Sequence, residues 1–161
     1  MKRVDIAGVE EPVSIRTNQR LLDALAVSGV DLLMACGGKG LCATCHVYIK
    51  AGADRLSAIT PREQSSLRML SEVRANSRLA CQAKVVGEGI VVALPGGRYL
   101  TNTGDLDALV GRRADVRILH PIDGRVLIET GKIITRSRIR ELAQVDIDIA
   151  EVKTHSLSFR R

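Results

Sequence analysis

Aromatic residues are scarce in this chain of 161 residues: they make up 2% of it, and tryptophan is absent. A folded core must therefore be aliphatic, within a composition that is 45% hydrophobic and 26% charged and typical of a globular protein. Proteins that bind nucleic acid by base stacking need aromatic platforms, and we expect no nucleic-acid partner. A Ser/His/Asp nucleophilic set and a phosphate-binding loop are also missing, so we expect no enzyme.

Long apolar runs are missing as well. No run approaches the roughly 18 residues that a membrane-spanning helix needs. The first residues, Met1 to Asp5, lack the apolar segment of a signal peptide. We therefore expect a cytoplasmic protein without a membrane span. The formal net charge of +6 predicts partners whose docking surface is acidic or neutral.

Three of the four cysteines lie within ten residues, and three glycines are interleaved with them. Cys36, Cys42, Cys45 and Cys81 give the spacing C-x5-C-x2-C-x35-C. Thiolates this close together share a metal centre, pair as disulfides or stay free. The glycines favour a loop whose backbone N–H groups approach a bound group closely. Soft thiolate ligands on such a loop favour an iron–sulfur cluster, which makes all four cysteines candidate metal ligands.

Three other interpretations of the cysteines compete with a cluster. A four-thiolate zinc site usually has two short C-x2-4-C pairs, and this sequence has one. Disulfides are disfavoured because cytosolic thiols stay reduced. The cysteines could also be small buried hydrophobes, but their clustering among glycines argues against chance.

Several short motifs keep the same order as in one known family. The quoted segments are Cys42-Ala43-Thr44-Cys45-His46, Leu56-Ser57-Ala58-Ile59-Thr60, Ser77-Arg78-Leu79-Ala80-Cys81-Gln82 and Val91-Val92-Ala93-Leu94-Pro95. Together with the cysteine spacing, this set resembles the [2Fe–2S] ferredoxins of the plant-type β-grasp superfamily. Five residues between the first two cysteines are typical of the adrenodoxin-like branch. The resemblance covers about residues 2–98 and is more specific than any single motif.

The resemblance implies a one-electron carrier that holds a [2Fe–2S] cluster. It implies that Cys36 and Cys42 hold one iron, which is the iron reduced, and that Cys45 and Cys81 hold the other. Four thiolates without histidine favour a low reduction potential, about −400 mV in plant-type ferredoxins. The redox partners would be a reductase and an electron-acceptor enzyme.

One segment departs from the family pattern. Thr60 followed by Pro61 and Glu63 predicts a capped helix start. In adrenodoxin-like proteins this helix is acidic and docks the redox partners. Here Arg62 and Arg68 outnumber Glu63, which puts the family's usual partners in doubt but not the cluster.

The predicted fold class is α+β, with a β-grasp ferredoxin fold at residues 1–100 and a small second α+β module. A linker is predicted at 101–104, a β-β-α-β module at 105–153 and a flexible tail at 154–161. Within the first domain, an N-terminal hairpin is followed by a helix capped by Thr17 or Asn18. Within the module, strands are predicted near 116–119 and 125–128, a helix from 133 and a last strand at 147–152.

The module loosely resembles small β-rich adaptor modules that occur beside bacterial signalling phosphodiesterase domains. It supports a second hypothesis, in which the chain is a redox sensor or adaptor and the module recruits a partner. A third hypothesis is a structural protein stabilised by zinc.

Other polar residues receive structural interpretations. We interpret His46 as a hydrogen-bonding residue that links the cysteine loop to the neighbouring helix, since histidine ligation in Rieske centres needs two histidines. The other two, His120 and His155, lie far away in the second half of the sequence. Lys39 lies beside the cluster or is a solvated charge. Arg78 resembles the family's arginine before the last cysteine, for which the resemblance implies a salt bridge that is either structural or functional. Three aspartates are interpreted as solvated charges: Asp115, Asp123 and Asp148.

Overall fold

A five-stranded mixed sheet organises the first half of the chain. The computed structural model describes residues 1–30, 32 and 34–158. The strands are β1 (Lys2–Ile6), β2 (Val13–Ile15), β3 (His46–Ala51), β4 (Ser77–Leu79) and β5 (Ile90–Ala93). Their order is β2-β1-β5-β3-β4, in which β1 and β5 run parallel and the other neighbours antiparallel. The predicted N-terminal hairpin is β1 and β2, so that prediction is confirmed.

Helix α1 (Leu21–Val27) packs an aliphatic face against this sheet, where Leu21, Leu22 and Leu25 are buried. The helix begins later than predicted, because Arg20 is its N-cap residue and donates its backbone N–H to Asp23 Oδ2 at 3.0 Å. The predicted cap at Thr17 or Asn18 is therefore wrong. Asn18 has φ of 70°, which is left-handed backbone, whereas an N-cap residue is extended.

Helix α2 (Pro61–Arg68) is fixed to strand β4 by a buried ion pair. Thr60 caps the helix as predicted, and its Oγ1 accepts the N–H of Glu63 at 3.2 Å. The Glu63 side chain is fully buried and accepts hydrogen bonds from Arg78 Nε at 2.8 Å and Nη2 at 3.1 Å. It also accepts the Leu79 N–H at 2.9 Å. The predicted salt bridge of Arg78 is confirmed, and it is a buried one.

A second, three-stranded sheet forms the second half of the chain. It contains β6 (Arg98–Tyr99), β7 (Ile118–Leu119) and β8 (Val126–Ile128), with β6 and β7 parallel and β7 and β8 antiparallel. A 3₁₀ helix (Thr103–Leu109) and helices α3 (Arg136–Glu141) and α4 (Ala143–Ser158) pack on it. Their shared core is aliphatic and contains Leu100, Leu106, Ala114, Ile118, Leu127, Ile128, Ile134, Leu142, Val145 and Ile149.

The observed elements of this half differ from the predicted order. Residues 147–152, predicted as the last strand, lie within α4. Their alternating pattern also fits a helical stripe, because Val145 and Ile149 are four residues apart and both are buried, whereas Ile147 is 51% exposed. The predicted flexible tail is helical as far as Ser158, and 159–161 lie outside the described residues.

Two boundaries also shift. The helix predicted from residue 133 begins at Arg136, and Thr135 caps it by accepting the N–H of Arg138. The predicted linker at 101–104 runs directly into the 3₁₀ helix, where Asn102 is the cap. Strand β6 lies inside the range predicted for the first domain but pairs with β7 of the second sheet.

A polar seam joins the two halves. Arg117 donates from Nη1 and Nη2 to the two carboxylate oxygens of Glu72, at 2.7 and 3.1 Å. Its Nη2 also donates to the Gly96 carbonyl at 2.9 Å. Glu72 has φ of 58°, and its carbonyl accepts the Tyr48 hydroxyl at 2.8 Å. The module is therefore attached to the turn that precedes β4.

Glu63→Gln should lower the free energy of unfolding by about 3 kcal/mol, because it leaves the Arg78 charge buried without its partner. Chemical denaturation monitored by circular dichroism measures this. The control is Asp54→Asn, which removes the exposed pair between Asp54 and Arg55 and should change stability by less than about 0.5 kcal/mol. Equal effects of the two substitutions would contradict the assignment of Glu63 as a buried clamp.

Glu72→Gln should reduce stability at neutral pH by about 0.5–1 kcal/mol at low salt, since the Glu72 side chain is 43% exposed. The hydrogen bonds from Arg117 lower the pKa of Glu72. The stabilisation is therefore present above the ordinary glutamate pKa of about 4.3 and is lost as the pH falls through the lowered value. The melting temperatures of wild type and variant should converge as the pH falls below that lowered pKa, and a constant difference across this range would contradict the prediction.

Candidate metal centre

Four buried thiols form two close pairs. Cys36, Cys42 and Cys45 lie on the segment Cys36–Cys45 between α1 and β3, here called the cysteine loop, and Cys81 follows β4. The Sγ atoms of Cys36 and Cys42 are 3.4 Å apart, and those of Cys45 and Cys81 are 3.2 Å apart. All four cysteines are described by the structure and none forms a disulfide. The structure therefore brings together every cysteine that the sequence singled out.

The register of β3 and β4 makes the long-range pair possible. His46 is opposite Leu79 in the antiparallel ladder, so the residues just outside it, Cys45 and Ala80, come into contact. The Ala80 N–H donates to the Cys45 carbonyl at 2.9 Å. This bond extends the ladder by one step and places Cys81 against Cys45 across 36 positions of sequence.

Backbone N–H groups surround the thiols, as the glycines predicted. The N–H groups of Gly38, Lys39 and Leu41 hydrogen-bond to the Cys36 sulfur, and that of Gly40 bonds to Cys81. The loop can adopt this shape because its three glycines have positive φ, from 67° to 81°. Lys39 thus contributes its backbone to the site, while its side chain is only half buried.

Each pair contains one thiol that ionises readily and one that does not. The hydrogen bond from Cys42, together with the backbone N–H groups, lowers the pKa of Cys36 to about 5. The hydrogen bond from Cys45 lowers the pKa of Cys81 to about 7. The pKa values of Cys42 and Cys45 are raised, because each thiol gives its hydrogen bond to its partner and is buried. Thiolate ligands must lose these protons when metal binds.

The donor set fits a centre with two metal ions. Two thiolates on one tetrahedral ion with metal–sulfur bonds of about 2.3 Å lie about 3.8 Å apart. The observed separations of 3.4 and 3.2 Å need only a small expansion. Among the described residues, no three His, Cys, Asp or Glu side chains are grouped around a single ion position. The N–H groups around the sulfurs are those that stabilise anionic sulfur in an iron–sulfur cluster.

Thr44 connects the two ends of the cysteine loop. Its Oγ1 lies 2.9 Å from Cys42 Sγ and accepts the N–H of Ala35 at 3.4 Å. The residue is 2% exposed, so water does not compete for the hydrogen bonds of this hydroxyl. The sequence contained Thr44 within a family motif but gave no sign of this role.

His46 is a structural residue, as predicted, but its partner is different. Its Nε2 is hydrogen-bonded to Ser77 Oγ at 2.8 Å, and its ring packs edge-on against Tyr48 at 4.9 Å. Ser77 belongs to β4, so the predicted link to a helix is wrong. Burial lowers the pKa of His46 to about 4, which keeps the ring neutral at physiological pH.

The sequence did not reveal that the second half of the chain reaches the cysteine loop. The Ala43 N–H donates to the Pro121 carbonyl at 3.0 Å. Ile122 and Val152 pack against the apolar group formed by Ala35, Cys36 and Cys42. The Asp123-Gly124 turn was visible in the sequence, but nothing in it indicated where this turn packs.

Two aspartates near this turn have hydrogen-bond partners within the protein. Asp123 accepts a hydrogen bond from Arg125 Nη1 at 2.7 Å, and Asp148 is bonded to His120 Nε2 at 2.9 Å. Both carboxylates are partly exposed, so these two charges are solvated but have protein partners. Asp115 is exposed, as predicted. His120 itself is 2% exposed and directly precedes Pro121, whose carbonyl contacts the cysteine loop.

Comparison with known proteins gives consistent matches to the first half of the chain. The model of the 2Fe-2S iron-sulfur cluster binding domain matches residues 4–86. Rhodocoxin of Rhodococcus erythropolis and putidaredoxin of Pseudomonas putida are each 37% identical over 93 residues, which is 55% of this chain and 87% of theirs. The structure of an ISC-like [2Fe–2S] ferredoxin from Pseudomonas putida superposes with a TM-score of 0.54 at 27% identity. It covers 59% of this chain and 93% of that one. Within the described residues, no helix is long and apolar enough to cross a membrane.

Gly40→Ala should disturb the site more than Gly37→Ala. Both glycines have positive φ, and either substitution should cost about 1 kcal/mol of backbone strain. A Cβ at Gly40 would lie 3.0 Å from the Gln82 side chain beside Cys81, whereas a Cβ at Gly37 would meet no atom within 4 Å. We expect a lower metal content and a lower unfolding midpoint for Gly40→Ala, measured by iron analysis and thermal denaturation. Equal behaviour of the two variants would contradict the close packing at Gly40.

Proposed function

The chain belongs to the 2Fe-2S iron-sulfur cluster binding domain family and is an electron carrier with a [2Fe–2S] cluster, and we propose that Cys36, Cys42, Cys45 and Cys81 hold that cluster. The predicted β-grasp fold class, cofactor and carrier role are thereby confirmed, and the zinc hypothesis is set aside. When bound, the cluster supplies a one-electron redox couple.

The observation that supports the proposed ligand set is the presence of two close thiol pairs in one buried cradle. The pair Cys36 and Cys42 would hold one iron, and the pair Cys45 and Cys81 would hold the other. The backbone N–H groups of Gly38, Lys39 and Leu41 point to the Cys36 sulfur. Added negative charge is stabilised by such donors, so this pair suits the iron that is reduced.

We propose that the chain acts as a carrier rather than an enzyme, in a compartment that keeps its thiols reduced, such as the cytoplasm. We further propose that residues 1–100 without strand β6 provide the electron-transfer domain, and that β6 joins residues 105–153 in a module attached to it. The four candidate ligands and the matched family model all fall within the first range.

Charge on helix α2 supports a partner with an acidic docking surface. Arg62 and Arg68 are exposed, whereas Glu63 is buried and neutralised by Arg78. The outward face of α2 therefore presents positive charges, and long-range attraction favours a partner that presents carboxylates. A reductase and an acceptor enzyme that share such a surface would complete the proposed electron path.

Absorption and EPR spectra of protein purified without air test the proposed ligands. The oxidised protein should be red-brown, and dithionite should produce a rhombic S = ½ signal. Serine substitution of each of the four cysteines should abolish or alter this spectrum, because a serine oxygen replaces a soft thiolate ligand. Ser57→Ala, which removes a hydroxyl that bonds to the Lys84 N–H, serves as a control and should leave it unchanged. A wild-type spectrum in any single cysteine variant would remove that cysteine from the ligand set.

A further inference from the structure

The turn Pro121–Gly124, here called the covering turn, lies directly on the cysteine loop. Its Pro121 carbonyl accepts the Ala43 N–H at 3.0 Å, and its Asp123 carbonyl accepts the Ser71 N–H at 2.7 Å. Ile122 packs against the apolar group formed by Ala35, Cys36 and Cys42. A Cβ at Gly124 would lie only 3.5 Å from that of Ala43. The two backbones are therefore in close contact over the Cys36 and Cys42 side of the site.

Hydrogen bonds to His120 hold the covering turn in one conformation. The Ile122 N–H donates to His120 Nδ1 at 3.1 Å, and the Gly124 N–H donates to the His120 carbonyl at 2.9 Å. The other ring nitrogen, Nε2, donates to Asp148 of helix α4 at 2.9 Å. A buried imidazole thus connects the turn to the helix behind it. Such a fully bonded polar network fixes one geometry.

Two further contacts hold the module in the same position. Arg117 binds Glu72 and the Gly96 carbonyl of the first half. Val152 of α4 packs beside Ile122 against the apolar group that contains Cys36 and Cys42. The cover therefore consists of a turn and a helix, and the Arg117 contacts attach the same module to the first half of the chain.

Among the described residues, the part of the cysteine loop that directly follows Cys36 is the more exposed part. Gly37 is exposed, Lys39 is half-buried, and Met34 is 40% exposed next to Gly38. A Cβ at Gly38 would lie 3.3 Å from Arg20 Nη1. We call Met34 with the segment 37–39 the open tip.

The open tip combines an adaptable apolar side chain with positive charge. Methionine accommodates varied partner surfaces. The Lys39 charge belongs to the tip, and the Arg20 guanidinium lies beside it, although Asp23 offsets part of the Arg20 charge at 3.5 Å. This chemistry fits a protein surface that has an apolar contact bordered by carboxylates.

We propose that the covering turn and Val152 form a fixed cover on the Cys36 and Cys42 side, and that an acidic redox protein exchanges electrons with this chain at the open tip. The inference rests on the proposed function, because it assumes that the four cysteines hold the cluster. It assigns the module a task within electron transfer, namely to cover part of the site while the open tip stays accessible to a partner.

Hydrogen–deuterium exchange of the oxidised holoprotein tests the cover. Peptides that contain Ala43 and Ser71 should be protected in the wild type, and Ile122→Ala should speed their exchange about tenfold by favouring local opening. After reduction with dithionite, the same variant should release iron faster to a ferrous chelator. Ile133→Ala is the matched control, since Ile133 lies in the same module and is 50% exposed. Unprotected amides in the wild type, or identical effects of both variants, would overturn the cover.

Stopped-flow electron transfer from a reduced flavodoxin, an acidic FMN protein, tests the open tip. At low salt, Lys39→Glu should slow the bimolecular reaction about tenfold by replacing attraction with repulsion. Lys132→Glu changes the net charge equally at an exposed site of the module and should slow it less than about threefold. Equal slowing by both variants would overturn the assignment of the tip.

Two measurements separate failure of this inference from failure of the proposed function. The reduction potential of each variant is determined independently, so that a change in driving force is corrected for. Reduction of the wild type by dithionite reports the cluster alone. A protein that dithionite cannot reduce would overturn the proposed function and the inference together, whereas normal reduction with equal slowing by the two charge reversals would overturn the inference alone.

Discussion

The site depends on one long-range requirement: Cys81 must reach Cys45 across 36 positions of sequence. Strands β3 and β4 meet this requirement through an antiparallel register that places Cys45 and Ala80 in backbone contact. A slip of one residue would turn every side chain of β4 to the other face and separate the thiols. The core that holds β3 between β4 and β5 is therefore as necessary to the site as the cysteines themselves.

Helix α2 shows how the same residues serve both the site and the surface. The Glu63 side chain is buried in the interior, where it forms an ion pair with Arg78, two residues before Ala80. This fixes β4 near Cys81 and, at the same time, removes the negative charge from the outward face of the helix. Ser66 of the same helix donates its hydroxyl to the Gly40 carbonyl of the cysteine loop. The basic surface is thus a consequence of how the strand is anchored.

The sequence predicted the first half well because its features are local or strongly patterned. The cysteine spacing, the glycines and the Thr60 cap each depend on nearby residues, and the structure agrees with them. The prediction for residues 147–152 was wrong because apolar residues at 145, 147 and 149 satisfy strand and helix periods together.

Packing between segments that are distant in the sequence could not be predicted from the sequence. The burial of Glu63 and the position of His120 depend on contacts between distant segments. Short polar motifs such as Asp123-Gly124 predict a turn. They carry no information about the surface on which that turn will rest, so the cover on the cysteine loop could be recognised only in three dimensions.

The covering turn also has a consequence for the order of events during synthesis. The ribosome makes the four cysteines and strand β5 before it makes His120, and domains generally fold from the N-terminus as they emerge. A nascent chain therefore presents its complete thiol set while the residues that will close over Cys36 and Cys42 do not yet exist. The proposed cover would obstruct loading of the centre from the Cys36 and Cys42 side once the module has folded, and the nascent chain lacks this cover.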